Sequence, residues 1–235
     1  MPEKEIDKYL AQHYIHKSNW LRAAVLGAND GILSTASIAV GVAAASTTRE
    51  PIILASLAGL VAGALSMAAG EYVSVSSQTD IEKADIEREK RELKEMPETE
   101  LKMLANIYEQ RGLKRETALL VAKELTEHDA LNAHVRDELG INELHQANPL
   151  QAALASGASF TFGAAFPLLV SIFFPLDNMV YYQYGCAILF LAILGALAAK
   201  TGGSGMGKAI IRITLWGTIA MVLSALVGYL FGVNI

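Results

Sequence analysis

The stretch LGANDGILSTASIAVG, residues 26–41, places one carboxylate inside a long apolar segment. Asp30 lies between two glycines, and no further charged residue follows it before Arg49. A carboxylate within a membrane-spanning helix costs about 2.5–3.5 kcal/mol on insertion scales, so such residues normally face a cavity or a partner group. Asp30 is therefore a candidate functional residue.

The composition of the whole chain favours an integral membrane protein. Of its 235 residues, 52% are apolar and only 18% are charged, which is unusual for a soluble domain. A helix needs about 20 predominantly apolar residues to cross the hydrocarbon core of a bilayer. Five stretches meet this length, and we predict transmembrane helices over residues 21–46, 52–75, 150–174, 179–199 and 211–233.

The distribution of lysine and arginine predicts the orientation of these spans. Residues 1–20 are polar and include acids, so they are interpreted as a cytoplasmic amphipathic segment and not as a cleaved signal peptide. With this segment inside, Arg49 is the one basic residue on the opposite side, as the positive-inside rule favours. The C-terminus is then expected on that opposite side, and Cys186 has no second cysteine with which to pair.

Residues 76–147 form an acidic island between the second and third spans. They hold 17 of the 24 acidic residues and 11 of the 19 basic residues of the chain, a balance that argues against nucleic-acid binding. We predict three helices, over residues 73–95, 97–110 and 114–139, with Gly112 and Gly140 as stops.

One face of the first of these helices carries four carboxylates and a thioether, spaced three, four, three and four residues apart. Like charges at this spacing repel by a few tenths of a kcal/mol per pair, unless a cation or a partner helix offsets them. An ordinary solvated face with i,i+4 ion pairs explains the same pattern. The candidate metal ligands are this stripe and two residues of the third helix: Glu82, Asp85, Glu89, Glu92, Met96, His134 and Glu138.

A second set of polar residues lies within the first two predicted spans. The stretch SMAAGEYVSVSSQ, residues 66–78, places a methionine and a glutamate one helical turn apart. Carboxylate, amide, hydroxyl and thioether groups together suit a divalent cation such as Fe²⁺ or Mn²⁺, although a methionine is often a packing residue and a glutamate can extend to the interface. The candidate residues of this polar seam are Asp30, Met67, Glu71, Asn29 and Ser34.

Four stretches of the chain resemble the vacuolar iron transporter family in its bacterial form. They are GANDGILST (27–35), SMAAGEYVSVSSQTDIEKADIEREKREL (66–93), HVRDELGI (134–141) and NPLQAALASGASFTFGAAFPLL (148–169). The resemblance implies an all-α integral membrane protein, a homodimer with five transmembrane helices plus a cytoplasmic three-helix acidic metal-binding domain. It also implies a secondary active transporter of a bacterial inner membrane, which exports Fe²⁺, and Mn²⁺ as well, in exchange for protons. The metal is then a transported substrate, and no permanently bound cofactor is expected.

The resemblance also implies roles for individual residues. The pore aspartate and pore methionine of the family fall on Asp30 and Met67, with Glu71 in the same motif, so the resemblance implies that the polar seam is the transport pathway. Glutamates of the cytoplasmic domain fall on Glu89, Glu92 and Glu138. This chain departs from plant members where they have a second glutamate pair, which aligns with Met103 and Asn106, and where their methionines become His134 and Val135.

Two other classes of protein remain open from the sequence. A membrane-bound di-iron carboxylate oxidase would use glutamate-rich helices, but such sites usually contain two Glu-x-x-His pairs, and the chain has none. A non-transporting membrane scaffold would use the acidic island to bind a partner, and Asp30 would then have no function.

Overall fold

The computed structural model of the chain describes residues 18–141 and 148–232. The predicted cytoplasmic amphipathic segment, residues 1–20, therefore lies mostly outside the described residues. The same holds for residues 142–147 of the predicted acidic island and for the end of the fifth predicted span at residue 233. Within the described ranges the chain is helical and contains no strand. The helices are α1 (Ser18–Ala45), α2 (Glu50–Glu95), α3 (Pro97–Gln110), α4 (Arg115–Asp137), α5 (Pro149–Phe173), α6 (Met179–Gly202) and α7 (Met206–Phe231), with a 3₁₀ turn at Leu176–Asn178.

Five of these helices, α1, α2, α5, α6 and α7, are long and apolar enough to cross a membrane. The predicted class, an all-α integral membrane protein with five spans, is confirmed. The fourth and fifth spans approach each other more closely in sequence than predicted. α6 ends at Gly202 and not at residue 199, and α7 begins at Met206 and not at residue 211. Gly203 ends α6 in the left-handed conformation, with φ +68°, which glycine adopts without a steric penalty.

The chain divides into two compact units. The membrane unit comprises Met1–Tyr72 and Leu150–Ile235, and the acidic unit comprises Val73–Pro149. In the membrane unit, α1 packs against α6 and α7 through an apolar cluster that includes Ile32, Ala187 and Met221. A second apolar cluster joins α1, α2, α5 and α6, through Ala39, Ile52, Val170 and Met179. α1 is therefore a central helix of the membrane unit.

Glycines bring α1 and α5 into close contact beside Asp30. A methyl group on Gly31 would overlap the backbone carbonyl of Phe160, and one on Gly163 would overlap that of Ala28. Because these neighbours are backbone atoms, they cannot move aside as a flexible side chain can. The two helices can approach this closely only while both positions lack a side chain.

We expect Gly31→Ala to destabilise the full-length protein by about 1–3 kcal/mol or more, the range for overpacking a buried site. Gly70→Ala is the matched control, because a methyl group there meets nothing within 4 Å and alanine favours a helix over glycine by about 0.5–1 kcal/mol. Thermal unfolding in detergent should lower the transition temperature for the first variant only. Equal transition temperatures for Gly31→Ala and the wild type would contradict this packing.

In the acidic unit, α3 and α4 form a helical hairpin. Their shared core contains Leu104, Ala105, Ala122 and Ala133. The turn between them passes through Gly112, which has φ +100°, a conformation that favours glycine. α3 begins at Pro97, a position where the missing backbone N–H of proline leaves no helical hydrogen bond unmade.

α4 occupies the stretch where the sequence predicts one helix, residues 114–139, and it contains a kink at Asp129. This residue has an extended backbone, with φ −161° and ψ 91°. Its Oδ1 atom accepts a hydrogen bond of 3.0 Å from the backbone N–H of Asn132, as an aspartate does at a helix N-terminus. Asp129 therefore starts a second helical segment, which carries His134 and ends before Gly140.

Candidate metal centre

Four side chains of the acidic unit meet at one point. Glu89 comes from α2, Glu100 from the first turn of α3, and His134 and Glu138 from the end of α4. One potential ligand atom from each residue lies within 4.8 Å of the others. Each of the three helices thus supplies at least one group that can bind a cation.

The imidazole of His134 faces all three carboxylates. Its Nδ1 atom lies 2.9 Å from Oε2 of Glu138, 3.0 Å from Oε1 of Glu89 and 3.9 Å from Oε2 of Glu100. Of these contacts, the one with Glu138 has the geometry of a hydrogen bond. A proton on Nδ1, or a cation in its place, would be surrounded by the same oxygens.

These residues are buried with little compensation for their charge. The exposed fraction is 3% for Glu89, 2% for Glu100 and 0% for His134. Oε1 of Glu89, Oε2 of Glu100 and Nε2 of His134 have no hydrogen-bond partner among the described residues. Burial, and next the negative charge of Glu138, raise the pKa of Glu100 above its ordinary value. Since buried carboxylates normally require a counter-charge, the cluster can accept a cation.

A cavity of about 270 Å³ borders the cluster. Three predicted ligands, Asp85, Glu92 and Met96, line this cavity, and Met103 adds a second thioether. Glu82 does not belong to the described lining, and its carboxylate accepts a hydrogen bond of 2.8 Å from Gln78. The cavity thus offers carboxylate and thioether groups in addition to those of the cluster.

Glu100 is not among the ligands predicted from the sequence. Acids in the stretch PETE, residues 97–100, are explained by their favourable charge at a helix N-terminus alone. The signal that could have found Glu100 is the reversal of the chain at Pro97, directly after the acidic stripe ends. Such a reversal returns the first turn of α3 to the end of α2 that carries the stripe.

A second polar contact fixes the end of α4 beside the cluster. Tyr108 donates a hydrogen bond of 2.7 Å to Oδ2 of Asp137, and Arg111 donates one of 2.6 Å to Oδ1. Burial favours the neutral acid, but these hydrogen bonds prevail and hold the pKa of Asp137 below its ordinary value. Asp137 precedes Glu138 directly and so positions it.

We expect Asp137→Asn to destabilise the protein by about 1.5–3 kcal/mol, the range for hydrogen bonds to a charged group, and to weaken Mn²⁺ binding. Because the pKa of Asp137 is lowered in the folded state, its stabilisation is complete above the ordinary aspartate pKa and is lost as the pH falls through the lowered value. The difference between variant and wild type in thermal unfolding should therefore shrink in acid. The exposed Asp80→Asn is the control, and a pH-independent difference would contradict the assignment.

In the membrane unit, Asp30 is half-buried, as is its neighbour Asn29. Among the residues whose side chains the structure describes, 24–141 and 148–232, no lysine or arginine forms an ion pair with Asp30. The Ser34 hydroxyl donates a hydrogen bond of 2.6 Å to the backbone carbonyl of Asp30 and not to its carboxylate.

One turn of α5 contacts both helices that carry the predicted pathway. Phe160 lies against Gly31 of α1 and against Gly63 of α2. Gly157, one turn earlier in α5, lies against Ala64 and Ala68 of α2. The turns bearing Asp30 and Met67 therefore lie within about one helical turn of each other along α5. Glu71 follows Met67 by one turn, and both side chains are half-buried.

Comparison with known proteins places this architecture in a family. The model of the VIT family matches residues 21–229. A vacuolar iron transporter of Acanthamoeba castellanii is 44% identical over 92% of this chain and 82% of its own length. Vacuolar iron transporter homolog 1 of Oryza sativa subsp. japonica is 38% identical over 94% of this chain and 78% of its own length. The resemblance seen in the sequence motifs is thus confirmed, and the chain belongs to the VIT family.

Proposed function

We propose that this protein transports divalent metal ions across a membrane, exporting Fe²⁺, and Mn²⁺ as well, from the cytoplasm in exchange for protons. The observation that carries the proposal is the buried cluster of Glu89, Glu100, His134 and Glu138. The relative from Acanthamoeba castellanii is named a vacuolar iron transporter, and this name supports the same function.

The chemistry of the side chains favours these metals. Carboxylate oxygens and an imidazole nitrogen bind Fe²⁺ and Mn²⁺, and thioethers add softer ligands. In our proposal the acidic unit collects the ion, with Asp85, Glu92 and Met96 bordering its cavity. Glu71 and Met67 then receive the ion before Asp30, and Asn29 and Ser34 supply further oxygen atoms along the pathway.

Competition between metal and proton for one carboxylate explains the exchange. A coordinating carboxylate must be deprotonated, so its affinity for metal falls as it binds a proton. A proton that arrives at Asp30 from the opposite side of the membrane would displace the cation and travel inward on the emptied carboxylate. Asp30 has no basic partner among residues 24–141 and 148–232, whose side chains are described, and this supports the role.

We propose the orientation and assembly on the same basis. The N-terminus and residues 76–147 would lie in the cytoplasm and the C-terminus on the opposite side, in a bacterial inner membrane, because this arrangement leaves Arg49 as the one basic residue outside. The protein would function as a homodimer in the lipid bilayer, with divalent metal ions and protons as its ligands and no nucleic acid.

Flux measurements with the full-length protein in proteoliposomes test the proposal. Uptake of Fe²⁺ or Mn²⁺ should require the protein. It should increase when the side that receives the metal is more acidic than the side that supplies it. Movement of protons in the opposite direction should accompany it. Metal uptake that ignores the pH gradient would contradict exchange, and oxygen consumption on addition of Fe²⁺ without metal uptake would favour the oxidase.

A further inference from the structure

A group of basic residues lies where α6 and α7 are joined and is not part of the proposed metal pathway. It comprises Lys200 in the last turn of α6, and Lys208 and Arg212 at the start of α7, which we call the basic end. All three residues are exposed. Among residues 24–141 and 148–232, whose side chains the structure describes, none of them forms an ion pair.

The sequence places no acidic residue close to the basic end along the chain. After Glu143, the one acidic residue is Asp177. It precedes α6, and it lies 23 residues before Lys200, about 35 Å along a helix at 1.5 Å per residue. Neither α6 nor α7 contains an acid that could neutralise the basic end.

The start of α7 carries positive charge where a helix disfavours it. Lys208 and Arg212 are four residues apart, and like charges at this spacing repel each other. They also lie near the positive end of the helix dipole, and the first turn of α7 contains no acidic residue. A methyl group on Gly205 or Gly207 would meet nothing within 4 Å. An anionic group from outside the protein would therefore offset this charge and has room to approach it.

The basic end coincides with the boundary of the hydrocarbon core. Residues 178–199, before Lys200, and residues 213–232, after Arg212, contain no charged side chain. These stretches are 22 and 20 residues long, and a helix needs about 20 residues to cross the core. The three cations therefore lie at one surface of the membrane, at the level of the lipid phosphate groups.

Exposed apolar residues continue from the basic end along both helices. On α7, Leu215 and Trp216 follow Arg212 by three and four residues and are 56% and 64% exposed. On α6, Leu197 precedes Lys200 by three residues and is 56% exposed. Residues three or four apart share a helix face, so each helix presents a cation above an apolar strip. A molecule that matches this surface has an anionic group joined to a hydrocarbon chain.

We propose that Lys208 and Arg212 bind the headgroup of an anionic phospholipid. Lys200 adds to the attraction, and an acyl chain lies against Leu215 and Trp216. Lysine and arginine donate charge-assisted hydrogen bonds to phosphate oxygens, and each cation near the surface of an anionic membrane strengthens the attraction. A soluble acidic protein or a nucleic acid would satisfy the cations but would not contact the apolar strip inside the bilayer. The lipid site does not depend on the proposed exchange of metal for protons.

Quenching of tryptophan fluorescence by brominated lipids tests this site. The chain has two tryptophans, Trp20 and Trp216, so Trp20→Phe leaves Trp216 as the single fluorophore of the full-length protein. This protein is reconstituted in mixtures of phosphatidylglycerol and phosphatidylcholine, with bromine on the acyl chains of either lipid in turn. The two quenching curves give the preference for the anionic lipid beside Trp216. We expect a preference of about fivefold or more, the factor that one cation near an anionic surface contributes, and a decrease with added salt.

Three variants in this background identify the cause of the preference. Lys208→Gln combined with Arg212→Gln should reduce it to about one, whereas Lys208→Arg combined with Arg212→Lys keeps both charges and should retain it. Lys94→Gln neutralises an exposed lysine of the acidic unit and is the control. Equal binding of both lipids in the parent protein, or a preference that survives the double neutralisation, would overturn the proposal. Loss of the preference in inorganic phosphate, but not in sodium chloride of equal ionic strength, would indicate a soluble ligand and would also overturn it.

Discussion

Replacing Asp30 by asparagine should lower proton-coupled metal flux in proteoliposomes by about 100-fold or more, the lower end of what a positioned proton-transferring side chain contributes to a rate. Asparagine has almost the same shape as aspartate but binds neither a proton nor a divalent ion as strongly. The variant therefore removes the group for which metal and proton are proposed to compete.

Two further variants make this result interpretable. Asp177→Asn neutralises an exposed carboxylate of the 3₁₀ turn and should leave flux unchanged. Asp30→Glu keeps the charge and should retain part of the flux with an altered pH dependence. If Asp30→Asn carries metal at the wild-type rate with the wild-type dependence on pH, the proposed exchange mechanism is wrong.

Glu100→Gln should weaken Mn²⁺ binding by about tenfold or more while raising the unfolding temperature of the metal-free protein. Both effects have one cause. Glu100 is 2% exposed and shares one histidine with two other carboxylates, so its negative charge destabilises the fold until a cation arrives. Loss of a ligating carboxylate removes part of the charge that binds the metal. Calorimetric titration with Mn²⁺ and thermal unfolding with and without metal would measure the two effects.

The pH dependence of stability gives this prediction a definite sign. Because the pKa of Glu100 is raised in the folded state, the folded protein binds the proton more tightly than the unfolded chain. The contribution of Glu100 to stability then rises as the pH falls from above the raised pKa toward the ordinary glutamate value. Glu100→Gln should lack this contribution. Glu98→Gln, an exposed residue of the same turn, is the control, and a parallel loss of both stability and binding in Glu100→Gln would indicate a merely structural role.

Some features of the site could be predicted from the sequence because they follow from short-range rules. Asp30 could be identified because an isolated carboxylate in an apolar stretch is energetically unusual. The acidic stripe could be identified because residues three and four apart share a helix face. Contacts between helices follow no such local rule, and Glu100 was therefore missed.

The sequence by itself determined the five spans, the acidic island and the ends of its helices at Pro97, Gly112 and Gly140. Segment length, hydropathy and backbone preferences depend on neighbouring residues, so they can be assessed from the sequence alone. Only the tertiary structure decided that Glu100 joins Glu89 and His134, and that Glu82 lies outside the cavity lining. The reason is that charges distant in sequence become one electrostatic unit only when packing brings them together and removes the water that separates them.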